Sequence, residues 1–327
     1  MTDRFLITGA MGCIGAWVVR NLVREGTPVV VFDLASDPRR IKLLLNPTEL
    51  ARVTFVAGDI CDLSALEHAL DEHAIAHVIH LAALQVPFCK ANPPLGARVN
   101  VVGTVNVFEA VKRRKHINKV VYASSAAVYD VADAYPAGTP LPHDAPLHPN
   151  TLYGVYKQAN EGTARVYWQD DRVSSIGLRP YVVYGVGRDQ GLTSTPTKAM
   201  FAAAVGQAYH ISYGGRCDFH YADDVARAFI AAARAPFEGT DIFNFRGSVA
   251  HMREVVAAIE AATPEMRGQI TFEEKPLPFP EEMDGAPLAR VIGSLPHTPL
   301  VEGVAETVKC FRELVAAGRM ARDEMLK

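Results

Sequence analysis

The opening residues restrict the fold more than any other stretch. An apolar run, Phe5-Leu6-Ile7-Thr8, leads directly into Gly9-x-x-Gly12-x-x-Gly15, and helical periodicity follows over residues 14–24. A short run that is apolar throughout reads as a strand covered on both faces. Glycines at its end let the chain turn sharply and let its backbone approach another group, because no Cβ intervenes. Strand, glycine turn and helix in that order make the first half of a βαβ unit.

The same alternation continues. Residues 28–32, 53–56, 76–81, 120–122 and 173–178 are further short apolar runs, and 63–70, 96–112 and 151–170 carry helical patterns between them. Right-handed crossovers then give an α/β fold, a Rossmann-type doubly wound parallel sheet. Residues 133–149 are rich in Pro, Ala and His and read as a loop. Beyond Arg179 the pattern changes to Gly-rich loops, a helix near 197–205, a segment at 214–224, helices near 252–262 and 301–317, and a Pro-rich connector at 275–280. The expected division is a dinucleotide-binding domain over 1–178, with a return segment at about 218–246, and a smaller C-terminal substrate-binding lobe from 179–217 and 247–327.

With 327 residues, 49% of them hydrophobic, the chain can bury a substantial core. A net charge of −3 gives no pull toward nucleic acid or an anionic membrane. The basic run Lys112-Arg113-Arg114-Lys115 ends a helix, where cations complement the dipole. Five scattered cysteines with no C-x-x-C pair argue against a disulfide framework and a zinc site, so no metal is expected. No apolar run is long enough to span a membrane. The first strand starts too early to leave room for a signal peptide, so the cytoplasm is the expected location.

The glycine turn opens a helix, and a helix N-terminus offers free N–H groups to phosphates. Gly9, Gly12, Cys13, Ile14 and Gly15 are therefore candidate dinucleotide contacts. Asp33 ends the second strand, where a carboxylate would accept both hydroxyls of an adenosine ribose. It would repel a 2′-phosphate, which favours NAD, although Arg39 and Arg40 nearby keep NADP open. Asp59 and Ile60 follow the third strand and could meet the adenine; for Asp59 a helix-capping role is the competing reading.

Tyr153 and Lys157 lie four apart and share a helix face. A nearby ammonium would bring the phenol toward neutrality, so that Tyr153 could take a proton from a hydroxyl while a hydride leaves the same carbon. Ser125, at the end of the fifth strand, would stand beside them, since ligands in doubly wound sheets bind at the carboxyl ends of strands.

Together with these residues, Thr8-Gly9-Ala10-x-Gly12-x-Ile14-Gly15, His80-Leu81-Ala82-Ala83, Asn100-Val101-x-Gly103-Thr104, Ser124-Ser125-x-x-Val128-Tyr129, Tyr153-x-x-x-Lys157 and Val183-Tyr184-Gly185 make the chain resemble an extended short-chain dehydrogenase/reductase of the NAD-dependent epimerase/dehydratase family. The resemblance implies that Leu81, Ala82 and Ala83 line the cofactor cleft with Asn100 near it. It implies that Lys157 also holds the nicotinamide ribose and that Tyr181 to Val183 flank the nicotinamide. Ser125 is the serine four residues before Tyr129, which selects it over Ser124; Asp130 replaces the glycine usual after Val-Tyr. A homodimer through the helices starting at Gly96 and Thr151 is also implied.

One departure bears on substrate. Nucleotide-sugar members carry an arginine where this chain has Cys217, in Cys217-Asp218-Phe219-His220. Arg216, next to it, would point elsewhere on a strand. A smaller substrate is expected instead: a sugar, a sugar acid or a related polyol. Gln85 and Arg188 are candidates to bind it, with Ser125, and His220 is a further candidate contact. Net dehydrogenation and epimerisation by transient oxidation share the same hydride chemistry and both remain open. Dehydration would call for an acid–base pair after the serine, where Ala126-Ala127 stands.

Overall fold

The computed structural model describes residues 3–117, 119–136 and 138–326. Its centre is a seven-stranded sheet made of β1 (Phe5–Thr8), β2 (Val29–Asp33), β3 (Val53–Ala57), β4 (His77–His80), β5 (Lys119–Ala123), β6 (Ser174–Arg179) and a late strand, β10 (Thr240–Asn244). The order is β10-β6-β5-β4-β1-β2-β3, and every neighbouring pair is parallel. This is the expected Rossmann-type sheet, with one strand more than the apolar runs marked. β10 escaped that reading because Thr240-Asp241 and Asn244 dilute its apolar centre.

Successive side chains of a strand face opposite sides of the sheet. Phe5 and Ile7 therefore join one core and Leu6 the other, as do Val29 and Val31 against Val30 and Phe32. Helices α1 (Cys13–Glu25) and α10 (Ala222–Arg234) cover the first face. Helices α4 (Leu63–Glu72), α7 (Gly103–Lys112) and α8 (Leu152–Asp171) cover the second. Two short helices, α2 (Arg39–Leu44) and α3 (Pro47–Leu50), link β2 to β3. After β4 come α5 (Val86–Ala91) and α6 (Pro93–Ala97). The basic run closes α7 as expected, and its members pair with acids: Lys112 with Asp171, Arg113 with Glu67, Arg114 with Asp71.

The helical pattern at 96–112 is not one α-helix. A π-helical turn, Arg98–Val102, lies between α6 and α7. Such turns cluster at functional sites. Here it turns Asn100 inward, fully buried.

The rest of the chain builds a second layer. β7 (Val182–Tyr184), β9 (Arg216–Tyr221) and β11 (Ser248–His251) form a sheet of order β11-β9-β7, while β8 (Tyr209–Ile211) pairs with β12 (Ile270–Phe272). Around them lie α9 (Thr195–Ala204), α11 (Met252–Ala262), α12 (Ala286–Ile292) and α13 (Leu300–Ala316). Phe201 on α9 meets Phe311 on α13 edge to face, centroids 5.2 Å apart. The connector at 275–280 brings Phe279 back toward β6, where it meets Tyr181 at 6.0 Å.

Candidate active site

Between β1 and β4 the direction of strand succession reverses, so the loops after these two strands diverge and leave a crevice. A cavity of about 670 Å³ occupies it, within the range of small-molecule sites. The residues singled out from the sequence for cofactor, catalysis or substrate line this cavity, apart from Asn100 and His220. Asn100 stands behind the wall: its side chain accepts from Leu84 N–H at 2.7 Å and donates to the Leu84 carbonyl at 2.9 Å. It shapes the Leu81–Gln85 segment without facing the cleft.

At one end, helix α1 begins with Gly12, and neither a capping side chain nor an acidic residue occupies its first turn. Its N–H groups are thus left for an anion. Gly9 has φ +69°, and a Cβ there would lie 2.4 Å from Ala82 N, so glycine alone lets the turn pass so close to the loop after β4. Asp33 caps the far side of the turn: Oδ2 accepts from Met11 N–H at 2.9 Å and Oδ1 from Ala35 N–H at 3.0 Å. Asp59 accepts from Cys61 N–H at 2.8 Å, and capping of α4 falls to Asp62 instead. Burial pushes the Cys13 thiol up to about 11 against the charges of Arg188 and Arg40, so it stays protonated.

Tyr153 and Lys157 come from α8, whose Thr151 cap accepts from Gly154 N–H at 3.0 Å. A Cβ on Gly154 would lie 2.2 Å from the Ala127 carbonyl, so α8 packs closely on the turn that carries Ser125. Lys157 Nζ donates to the Ala123 carbonyl at 2.6 Å and lies 5.7 Å from the Tyr153 ring centroid. Burial lowers Lys157 to about 8, against the charges of Cys89 and Glu161. The expectation that Lys157 draws the phenol toward neutrality is not met in this geometry. Burial raises Tyr153, and the groups that oppose it are the Ser125 hydrogen bond and the charge of Arg188.

Behind the serines, Glu161 receives Ser124 Oγ and a bidentate pair from Arg179, Nε and Nη2 each at 2.8 Å. This buried pair fixes the ends of β5 and β6 against α8, four residues beyond Lys157. His80 is buried between Thr8 and Thr104, at 2.7 and 3.0 Å; burial, then the charge of Lys157, holds it neutral near 3.

The opposite end of the cleft is bounded by Gln85, Tyr181, Arg188, Thr193 and Phe279. Arg188 donates from Nη2 to Thr193 at 3.1 Å. Its Nε, Gln85 Oε1 and the Tyr181 hydroxyl are buried without a hydrogen-bond partner among the described residues, which makes them available to a polar ligand. Gly191, at φ +97°, permits this convergence: a Cβ there would lie 2.2 Å from Gln85 Oε1.

One expectation about β9 comes out differently, while the outward turn of Arg216 is as expected. His220 does not reach the cleft; it is fully buried, and its Nδ1 accepts from Tyr181 N–H at 3.1 Å. Its other nitrogen lies 3.3 Å from Asp218, so the pair backs the cleft wall. Cys217 is fully buried too, while Arg216 points outward to Glu281 at 3.7 Å. The sequence reading also missed Met11, Thr151, Asp189 and Phe279 among the lining residues. Asp189 directly follows Arg188, but nothing local marks its partners on α2.

The cleft fits a dinucleotide: an uncapped helix start for phosphates, a carboxylate at the end of β2, and a Tyr–Lys–Ser group at the other end. Fold and site together define an NAD-dependent oxidoreductase of the extended short-chain type. The chain belongs to the NAD dependent epimerase/dehydratase family, whose profile matches residues 5–245. A UDP-glucose 4-epimerase of Mycolicibacterium smegmatis is 31% identical over 324 residues, covering 94% of this chain and 98% of that protein. The structure of a Thermus thermophilus UDP-glucose 4-epimerase in complex with NAD superposes with a TM-score of 0.80 at 27% identity, over 94% of this chain and 99% of its own. An L-threonine dehydrogenase from Clostridium difficile, 21% identical, shares the fold with a TM-score of 0.81 over 95% of this chain and 98% of its own. NAD is the cofactor of this family and of this enzyme.

Proposed function

We propose that the enzyme oxidises a hydroxyl carbon of a small polyhydroxylated substrate, a sugar, sugar acid or related polyol, and that an acid is the preferred form. The observation that carries this reading is Arg188. It is a cation at the substrate end of the cleft with a buried Nε that no group among the described residues engages, and a guanidinium is well matched to a carboxylate. By contrast, the β9 position where nucleotide-sugar relatives carry an arginine holds the buried Cys217.

Bound NAD supplies the hydride acceptor. Tyr153 Oη takes the hydroxyl proton, and Ser125 Oγ hydrogen-bonds the reacting oxygen. Arg188 places positive charge beside the phenolate that takes this proton, and Lys157 holds the nicotinamide ribose. Asp33 receives the adenosine ribose hydroxyls, the start of α1 the diphosphate, and Tyr181 and Val183 the nicotinamide face. The segments 1–178 and about 218–246 serve the cofactor, and 179–217 with 247–327 serve the substrate.

Epimerisation of a nucleotide sugar is the second reading, favoured by the similarity to UDP-glucose 4-epimerases along nearly the whole chain. One assay separates them. The protein is mixed with NAD and a panel of sugars, sugar acids and hydroxy acids, with UDP-glucose alongside, and absorbance at the NADH band is followed. NADH accumulating with an acid is the expected result. UDP-galactose formed from UDP-glucose, with no NADH from any other compound, would reject the dehydrogenase reading.

A homodimer is part of the proposal. Val102 at the end of the π-turn and Leu152, Val155 and Val166 on α8 are exposed apolar residues on the helices that the resemblance assigns to a dimer. The five free cysteines suit a reducing compartment, so a cytoplasmic location is proposed as well.

A further inference from the structure

The loop after β7 crosses the cleft and fastens to the start of α2. Asp189 Oδ1 accepts from Arg40 Nε at 2.9 Å and Nη2 at 2.7 Å, and Oδ2 accepts from Arg39. Arg39 also reaches Glu324 at 3.4 Å. The remaining nitrogen of Arg40, Nη1, donates to the Met11 carbonyl at 2.9 Å, while Met11 N–H donates to Asp33 Oδ2 at 2.9 Å. Asp33 and Arg40 therefore stand on either side of one residue of the glycine turn. Arg40, Asp33 and Asp189 all line the cleft, and the side chains of Arg40 and Asp189 are only 19% and 13% exposed.

Two arginines beside the carboxylate that receives an adenosine ribose are what a 2′-phosphate would need. Here both are engaged by a carboxylate that arrives from the far lip of the cleft. We propose that Asp189 is a specificity-determining residue for the cofactor: by holding Arg39 and Arg40 it withholds them from a 2′-phosphate and so reinforces the discrimination made by Asp33. A phosphate entering this corner meets two like charges. To reach the arginines it must break their bonds to Asp189 in a partly dry site, which leaves that carboxylate unpaired. The inference rests on the adenosine seat proposed at Asp33.

Calorimetric binding of 2′,5′-ADP and 5′-AMP tests it without relying on turnover. In Asp33→Asn protein, adding Asp189→Asn is expected to tighten 2′,5′-ADP by about tenfold, the worth of one charge-assisted hydrogen bond, and to leave 5′-AMP unchanged. Adding Arg40→Gln to that pair removes the gain. Equal 2′,5′-ADP affinity with and without Asp189→Asn, a gain that survives Arg40→Gln, or a parallel loss of both nucleotides overturns the proposal. Should the Asp189 variants fail to fold, Arg40→Gln in the wild type serves instead. It leaves 2′,5′-ADP affinity unchanged if Asp189 already occupies the arginine, and a fall in affinity overturns the proposal. Failure of 5′-AMP to bind the wild type marks the adenosine seat itself as wrong and removes the proposal with it.

Discussion

At the scale of single residues, the reacting groups were legible because their signal is local. Tyr153 and Lys157 need only four-residue spacing on a helix, and Ser125 only its place at a strand end. Tyr153→Phe is expected to lower turnover by about 10²–10⁴-fold, with NAD binding retained in a fluorescence titration; near-normal turnover would remove Tyr153 as the base. What spacing could not supply was the electrostatic setting. The charge that opposes burial at Tyr153 comes from Arg188, 35 positions along the chain. Removing it raises the phenol further. In Arg188→Met, the rise of kcat/KM with pH that accompanies loss of the Tyr153 proton is expected to move to higher pH. A profile in the same place, whatever its height, would show that Arg188 does not act on the phenol. The Arg40–Asp189 contact was illegible for a simpler reason: its partners lie 149 residues apart.

At the scale of elements, the parallel sheet was readable because buried strands are apolar on both faces. The helical stretch at 96–112 was read as a single element because a π-turn leaves the hydrophobic period almost intact while it rotates Asn100 inward. The glycine turn shows how one motif serves two ends. A Cβ on Gly15 would lie 2.6 Å from Ala10 Cα, whereas on Gly12 the nearest atom is Gly9 O at 3.2 Å. Gly15→Ala is therefore expected to lose stability in a urea melt, by about 1–3 kcal/mol for overpacking. Gly12→Ala is expected to stay folded but to bind NAD at least about tenfold more weakly, because its methyl crowds the start of α1. The opposite pattern, with Gly12→Ala unstable and Gly15→Ala weak only in binding, would show that the two glycines have been assigned the wrong tasks.

At the scale of the whole molecule, the chain brings residues 9–15, 33, 81–85, 125, 153–157 and 181–193 to one edge of a sheet. That convergence follows from parallel strands sharing a carboxyl edge, so the cleft could be anticipated once the fold was. The helices of the second layer near 197–205, 252–262 and 301–317 could be anticipated too, but its strands could not, because they are short and their connections rich in glycine and proline. The exposed valines of α8 carry a prediction at this scale. Val155→Glu/Val166→Glu is expected to halve the mass seen by light scattering while circular dichroism stays unchanged. A wild-type mass of one chain would refute the dimer outright.

Arg39 and Arg40 on one lip of the cleft and Asp189 on the other are expected to gate nucleotide exchange as well. A dinucleotide seated beneath that fastening would leave as it opens, and salt weakens partly exposed ion pairs. Stopped-flow release of NADH is therefore expected to quicken as sodium chloride is raised, and in Asp189→Asn to be fast and indifferent to salt. An enzyme that returns its hydride within each cycle is served by such retention, whereas one that discharges NADH has its turnover capped by the rate at which the two lips part.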